Sequence, residues 1–347
     1  MIGTQWTTGR SGPAVALVAA LALASLASLT GCGAGGGAGH GPGRGPRPDA
    51  GHAARLAAAP AVEPTTAQAR TLARAEQILI SRCMVGRGFA YAVTGTAPES
   101  EERRVFPYAV DDVEWARAHG YGGRADRADA EARLADPNQR YFRGLSPARR
   151  AAARTALMGA SPVGLSATTP TGMTLTASAE GCTAGAQREL YGDLPGWFRV
   201  KVITMNLRPV RESLVHEDPK YARAVGAWAA CMREAGRPYA SPDASRQAAA
   251  TLTEGLPADR AEATETALAV TEATCATGTE LARVSRALDR AHGEEVRSRF
   301  RDEIALRQRF QNAALPTAER VVRQYPDEDG PSGRSGAPSD TSGENHG

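Results

Sequence analysis

Two copies of a cysteine-containing stretch constrain the fold of this chain more than any other feature. The clearer copy is Trp228–Tyr239, in which Cys231 is followed by Met and, five residues after the cysteine, by Gly. The weaker copy is Ile80–Phe89, in which Cys83 has the same two followers. Each copy is followed by one further cysteine, Cys182 after the first along the chain and Cys275 after the second. The simplest interpretation is a duplicated module with one disulfide in each copy.

The fifth cysteine, Cys32, ends an N-terminal segment that has the layout of a bacterial signal peptide. Arg10 precedes an apolar run over residues 13–29, which is too short to be interpreted as a membrane-spanning helix. Leu29–Cys32 resembles the lipobox of bacterial lipoproteins. That resemblance implies that residues 1–31 are removed and that Cys32 carries a diacylglycerol, which anchors the protein on the outer face of the cytoplasmic membrane. The alternative is an ordinary secretory signal with a chance cysteine.

The four remaining cysteines are an even number, as expected for an exported protein in an oxidising compartment. Four cysteines allow three pairings. The duplication favours Cys83–Cys182 and Cys231–Cys275, because a copied module would copy its own bridge. Closing loops of these lengths stabilises a fold by about 4 kcal/mol each in the chain-entropy model. No Cys-x-x-Cys spacing is present, which argues against a redox pair.

The charge balance does not favour a nucleic-acid partner. One of the 41 basic residues, Arg10, lies in the predicted signal peptide, which leaves 40 against 38 acidic residues. Domains that bind nucleic acids concentrate a clear excess of positive charge. We therefore expect no nucleic acid as a partner.

Composition marks a tether, a tail and two modules between them. Residues 32–64 are mainly Gly, Ala, Pro and Arg, with too few large apolar side chains to offset the entropy of ordering, so they are predicted as a flexible tether. Residues 326–347 are rich in Asp, Gly, Ser and Pro and are predicted as a disordered tail. The two Cys-Met copies define a first module with an insertion over 65–199 and a second over 200–325.

The predicted fold class is mainly α, with two related disulfide-stapled halves and a long C-terminal helix. Apolar residues recur at helical spacing through most of both modules. The alternating run Phe198–Ile203 is the one candidate strand, and one strand makes no sheet. Residues 160–178 consist largely of Ser, Thr, Pro and Gly and are predicted as a loop. The last helical pattern runs to about Pro316, either as one long arm or with a break near Gly293.

The sequence contains no recognised catalytic, cofactor or metal motif. It has no nucleophile elbow, phosphate loop or His-Glu-x-x-His pair, its one Gly-x-Gly-x-x-Gly spacing, from Gly31, lies in a glycine-rich stretch and not between a predicted strand and helix, and its six histidines are scattered. The acidic pairs Asp111 with Glu114 and Glu180 with Asp193 are interpreted as helix caps rather than as acid and base. His119, near the end of a predicted helix, is interpreted as serving the helix dipole. We therefore predict no enzyme, no cofactor and no metal.

Four aromatic residues are the candidate binding residues of this chain. Their rings either line a sugar or peptidoglycan groove or belong to the core, and the low aromatic content, 5% of the chain, favours the core. The four are Trp115, Tyr121, Tyr191 and Trp197.

The second Cys-Met copy resembles a known module. Its Cys231-Met232-Arg233 with Gly236 is similar to the Cys-Met-Arg-x-x-Gly module of small secreted proteins and lipoproteins from high-GC Gram-positive bacteria, in which a later cysteine closes a bridge. Asp112–Ala116 and Leu190–Asp193 also resemble members of this uncharacterised group, and the resemblance spans roughly residues 75–315. The first copy departs from the pattern at Val85–Arg87. No activity and no functional residue are carried over from this resemblance.

Three functions are compatible with these observations. The preferred one is a non-enzymatic surface lipoprotein that binds an envelope protein partner or the cell wall. The second is the ligand-binding lipoprotein of an ABC transporter, which the scarcity of predicted strands disfavours. The third is a cell-wall hydrolase, which would require a carboxylate or histidine constellation in a cleft.

Overall fold

A computed structural model describes residues 50–95 and 104–325 of the chain. The predicted signal peptide, the lipidation site Cys32 and the predicted tail over 326–347 lie outside these residues, so they stay predictions. Among the described residues, no helix is both long and apolar enough to cross a membrane.

The described part of the chain is mainly helical, which confirms the predicted fold class. The helices are α1 (Ala50–Ala58), α2 (Thr66–Gly86), α3 (Val113–His119), α4 (Gly123–Ala135), α5 (Pro137–Gly144), α6 (Pro147–Met158), α7 (Gly181–Tyr191), α8 (Leu194–Met205), α9 (Leu207–Glu217), α10 (Pro219–Glu234), α11 (Pro242–Thr253), α12 (Ala258–Gly278), α13 (Leu281–Arg299) and α14 (Arg301–Arg323). The strands β1 (Gly164–Thr168) and β2 (Thr174–Ser178) form one antiparallel hairpin.

The hairpin lies in the stretch that the sequence predicted as a loop. Its Ser and Thr residues suit an extended backbone, and Leu165 on β1 packs against Ala184 and Leu194 of the neighbouring helices. The candidate strand Phe198–Ile203 is instead part of α8. The Asp193 side chain caps this helix by accepting the Gly196 N–H at 3.0 Å. The cap favours a helix here although the apolar residues of Phe198–Ile203 alternate as in a strand.

The first core surrounds the disulfide Cys83–Cys182, which joins α2 to α7. These two helices run antiparallel, because the bridge lies at the end of α2 and the start of α7, whereas Gln187 further along α7 donates to Glu76 further back on α2 at 2.9 Å. The apolar stripe of α14 covers the pair, with Phe310, Ala314, Leu315, Ala318 and Val321 all buried in this core.

The second core surrounds the disulfide Cys231–Cys275, which joins α10 to α12. Trp228 is fully buried three residues before Cys231, and its ring N–H donates to the Glu272 carbonyl, three residues before Cys275, at 3.3 Å. The two helices are therefore parallel. Both disulfides have the pairing that the duplication favoured.

Each core contains a segment from the other half of the sequence. The last helix, α14, packs in the first core, although it belongs to the predicted second module. Conversely, residues 106–121 of the predicted first module pack against α10 and α12 in the second core. All described residues belong to one compact unit. The predicted division between 199 and 200 is therefore not a boundary between cores, and it falls inside α8.

The two Cys-Met copies have closely similar local structures. Met84 and Met232 are both fully buried, and the glycines five residues after the cysteines, Gly88 and Gly236, have φ values of 77° and 73°. The N–H after each glycine donates to the methionine carbonyl, at 3.0 Å in the first copy and 2.8 Å in the second, as in a Schellman motif. Glycine is needed because this left-handed backbone disfavours residues with a Cβ.

The similarity between the halves ends after this helix stop. The partner of the first Cys-Met helix is antiparallel to it and is joined near its own start, at Cys182. The partner of the second is parallel and is joined near its own end, at Cys275. The repeat is thus a helix and its C-terminal turn rather than a whole duplicated domain.

Part of the predicted tether is ordered against the first core. Helix α1 lies within the range predicted as flexible, and its His52 ring is buried against Gly192, where an added Cβ would lie 2.2 Å from the ring. The segment after α1 is held by the Asn312 side-chain amide, which donates to the carbonyls of Pro60 and Val62 at 3.0 and 2.8 Å. The composition of this segment did not predict that it is ordered. Few apolar residues are enough to order it, because a neighbouring helix supplies hydrogen-bond partners for its backbone.

The long C-terminal helical pattern is broken at two places other than Gly293. The chain leaves helical geometry at Thr279, between α12 and α13, and again at Phe300, before α14. Gly293 lies inside α13, where it faces the aliphatic part of the Arg211 side chain at 3.3 Å from an added Cβ. Pro316 does not end the last helix, which continues to Arg323.

Candidate functional site

The structure does not bring the four predicted binding aromatics together. The rings of Tyr191 and Trp197 stack at 3.7 Å inside the first core, and both side chains are buried. Trp115 is buried on α3 against α12, in contact with the Phe106 ring at 4.8 Å. These three are core residues. Tyr121 alone of the four lines an open cleft.

This cleft lies between residues 104–129 and the helices α11 and α12, and it has a volume of about 630 Å³. Clefts of a few hundred to a thousand cubic ångströms are the usual size of small-ligand sites. Its lining combines small residues, two aromatic rings and charges of both signs. The main contributors are Phe106, Tyr121, Gly122, Gly123, Ala249, Ala250, Arg104, Arg127, Arg246, Asp126, Asp129 and Glu265.

Glu265 on α12 shapes one wall of the cleft. Its Oε1 accepts the backbone N–H groups of Tyr121 at 2.7 Å and Gly123 at 2.9 Å, so the carboxylate fixes the turn between α3 and α4. An added Cβ on Gly123 would lie 2.3 Å from Oε2 of the same carboxylate. The turn therefore needs glycine at this position for close approach.

Glu272 lies two turns further along the same face of α12 and is fully buried. Its Oε1 accepts the Val110 N–H at 2.9 Å, and its Oε2 accepts the Tyr121 hydroxyl at 2.6 Å. The Tyr121 oxygen is also 2.8 Å from the hydroxyl of Ser245, which is itself fully buried. This network ties the 104–123 segment to α11 and α12 beneath the cleft.

Burial is the main influence on the charge state of this network. Loss of water raises the pKa of the Glu272 carboxyl, against the opposing effects of the Tyr121 hydrogen bond and the Arg246 charge. The pKa of Tyr121 is raised because of burial and because Glu272 lies beside its hydroxyl. Both groups thus favour their neutral forms more than they do in water.

The raised pKa of Glu272 predicts a specific pH dependence of stability. In the unfolded chain this carboxyl loses its proton near pH 4.5, whereas the folded protein holds the proton to higher pH. The stability that the proton contributes is complete below the unfolded pKa and is lost as pH rises through the folded pKa, by about 1.4 kcal/mol per pH unit between the two. The glutamine of Glu272→Gln has no proton to lose. Its free energy of unfolding relative to wild type should therefore rise with pH above about 4.5, as measured by urea unfolding at several pH values.

A matched control for this measurement is Glu262→Gln on the same helix, whose side chain is 45% exposed and pairs only distantly with Arg124 and Arg127. A stability difference for Glu272→Gln that falls with pH, or that follows the control, would contradict the assignment of a buried, proton-holding carboxyl.

Arg246 on α11 is the cation closest to this network. Its Nη2 is buried and has no hydrogen-bond acceptor among the described residues. Nη2 is 3.8 Å from Oε1 of Glu272, and Nη1 is 4.0 Å from Asp243, so both carboxylates are near enough for attraction but too far for hydrogen bonds. The side chain is 28% exposed and lines the cleft. The guanidinium therefore has donor capacity that the described protein groups do not use.

The acidic pairs noted in the sequence do not form a catalytic constellation. Asp112 caps α3 by accepting the Trp115 N–H at 3.0 Å, and this bond together with Arg104 lowers the pKa of its carboxyl. Asp111 pairs with Arg286 at 3.1 Å. Glu180 precedes α7 without a side-chain cap. Among the described residues, no group of three His, Cys, Asp or Glu residues is arranged to hold a metal.

Comparison with known proteins gives no assignment. No family model matches the chain, and no significant match was found among curated proteins or solved structures. The candidate site is therefore defined by its own geometry. The sequence analysis identified Tyr121 but not Glu265, Glu272 or Arg246. The feature that could have indicated the two glutamates is their spacing of seven residues, which places both on one face of an alanine-rich helix.

Proposed function

We propose that this chain is an exported, lipid-anchored protein of the outer face of the cytoplasmic membrane, and that it binds an envelope protein partner or the cell wall without catalysing a reaction. The observation that carries this proposal is the pair of disulfides, each at the centre of one core. Such bridges form and persist in oxidising, extracytoplasmic compartments. The lipobox at Leu29–Cys32 supplies the anchor in this proposal.

The cleft above Tyr121 is the binding site in this proposal. It is concave, its walls are fixed by hydrogen bonds that Glu265 and Glu272 accept, and its lining offers aromatic faces beside charges of both signs. A rigid cleft of this kind binds a ligand without a large ordering cost.

A hydrolase would need an acid or base that reaches its substrate. Glu272 has the raised pKa of a general acid, but it is fully buried and both of its oxygens accept hydrogen bonds from the protein. The cleft therefore supports binding better than catalysis. A transporter carrier is less well supported, because the described residues contain one two-stranded hairpin rather than the repeated strands of such carriers.

The experiment compares tagged forms of the full chain in the organism that produces it. We expect wild type in the membrane fraction and Cys32→Ala as an unprocessed precursor or a released protein. Crosslinking followed by purification should recover the same envelope partner, or wall material, with wild type and with Thr251→Arg. Ala250→Arg should reduce recovery about tenfold or more, because Ala250 is exposed in the cleft and the new side chain fills it.

Thr251→Arg is the matched control, since Thr251 is exposed on the same helix, does not line the cleft and receives the same charge. If Ala250→Arg recovers as much of the partner or wall material as wild type does, the cleft is not the binding site. If Cys32→Ala is found at the mature size and entirely in the membrane fraction, the proposed lipid anchor at Cys32 is refuted.

A further inference from the structure

The geometry points to the chemistry of the ligand: a short peptide that presents a free carboxylate to Arg246, as the stem peptides of the cell wall do. This inference depends on the proposed function, because it concerns the same cleft. It names the residue that binds, the group that is bound and the class of ligand.

Arg246 is the anchor because its guanidinium lines the cleft and has a donor without an acceptor among the described residues. The buried Nη2 has no acceptor among the described residues, and the two neighbouring carboxylates stand at 3.8 and 4.0 Å. A guanidinium presents its donors as a planar fork that matches the two oxygens of a carboxylate. A ligand carboxylate entering from the cleft would accept from the part of the guanidinium that is exposed there, since the side chain is 28% exposed, and would neutralise the charge of the whole group.

Glu272 does not take this role, because its Oε1 lies 3.8 Å from Nη2, too far for a hydrogen bond, and its oxygens are directed to the Val110 N–H and the Tyr121 hydroxyl. Its burial also favours the protonated carboxyl, which attracts Arg246 less than a carboxylate would. The charge of Arg246 is therefore incompletely neutralised by the residue nearest to it. An anionic group from outside completes the pair.

The remaining lining indicates a peptide rather than a simple anion. Asp126 lines the same cleft, and its exposed carboxylate can accept an amino group, while Phe106 and Tyr121 offer apolar faces to short side chains. The volume of about 630 Å³ accommodates a few residues and not the surface of a folded protein. Wall stem peptides are short, carry free carboxylates and amines, and lie within reach of a protein anchored at the membrane surface.

The test measures cosedimentation of the purified full-length mature chain with peptidoglycan sacculi. One portion of the sacculi is left untreated, and in another the carboxylates are converted to neutral amides. We expect wild type to bind untreated sacculi and to bind the amidated ones about tenfold less. Arg246→Lys keeps the charge beside Glu272 but loses the fork, and it should also bind untreated sacculi about tenfold less.

Arg290→Lys is the control for the change of side chain, because Arg290 is exposed on α13 and outside the cleft. Thermal unfolding confirms that each variant is folded, and Arg246→Gln repeats the test without the charge. Equal binding to both kinds of sacculi, or wild-type binding by folded Arg246→Lys, would overturn the inference.

The inference and the proposed function fail in different ways. If Ala250→Arg blocks sacculus binding and Arg246→Lys does not, the cleft remains the site and the carboxylate anchor is refuted. If wild type ignores sacculi but captures an envelope protein through the cleft, the wall peptide is refuted and the binding function remains.

Discussion

Replacing Phe310 with alanine is expected to lower the free energy of unfolding by about 3–5 kcal/mol. The Phe310 side chain is almost fully buried in the first core, where its ring packs edge-on against Trp197 with 6.0 Å between centroids. The loss combines the transfer of an aromatic ring from water with the cavity left between α8 and α14. Urea unfolding followed by far-ultraviolet circular dichroism measures it.

The location of the damage is as informative as its size. Native-state hydrogen exchange should show lost protection in α2 and α7, more than 110 residues earlier in the chain, as well as in α14. Phe300→Ala is the matched control, because this ring is only partly buried at the junction of α13 and α14. Protection in α2 that is unchanged by Phe310→Ala would contradict the packing of α14 in the first core.

Trp115→Ala is expected to cost a similar amount, about 3–5 kcal/mol, but to act on the apolar cluster between α3 and α12, beside the second core. The Trp115 ring is buried against Ala269 and Ala273 of α12 and contacts Phe106. Its removal should loosen the segment that supplies Tyr121 and Val110 to the Glu272 network. Hydrogen exchange should then increase in α12 while α2 and α7 remain protected.

The control for this change is Arg117→Ala on the same short helix, where the side chain is 56% exposed and pairs with Glu114. An exposed pair of this kind contributes little, so we expect a change within about 0.5 kcal/mol. If Trp115→Ala instead raises hydrogen exchange in the first core and leaves α12 protected, the packing of residues 106–121 against α12 is refuted.

The helices and the bridges could be predicted from the sequence because their signals are local. Ser146 before Pro147 marks a helix start, and Gly88 and Gly236 mark helix ends, whatever the rest of the chain does. The repeated Cys-Met context favoured the disulfide pairing that the structure has. The packing of α14 in the first core could not be predicted. An apolar stripe such as Phe310, Ala314 and Ala318 shows that one face of the helix is buried, but it does not show which core that face packs against.

The candidate site was harder to predict for the same reason. Glu272 resembles any other glutamate in a helical sequence, and its burial depends on Val110, which is 162 residues away in the chain. Arg246 owes its unmet donor Nη2 to the distance between α11 and α12, which places the Glu272 carboxyl 3.8 Å away and beyond hydrogen-bond reach. Tyr121 was among the four candidates because an aromatic ring can line a binding groove, and the type of side chain is visible in the sequence itself.

The placement of α14 also sets the order in which the chain can fold. A chain that emerges N-terminus first has made α2 and α7 long before α14, and Asn312 must return to Pro60, 252 residues earlier. At roughly 5–20 residues per second, the synthesis of the stretch between Tyr191 and Val321 takes on the order of ten seconds. During that time the apolar faces around Cys83 lack their cover. A nascent chain in this condition exposes apolar surface through which it can aggregate until α14 is made.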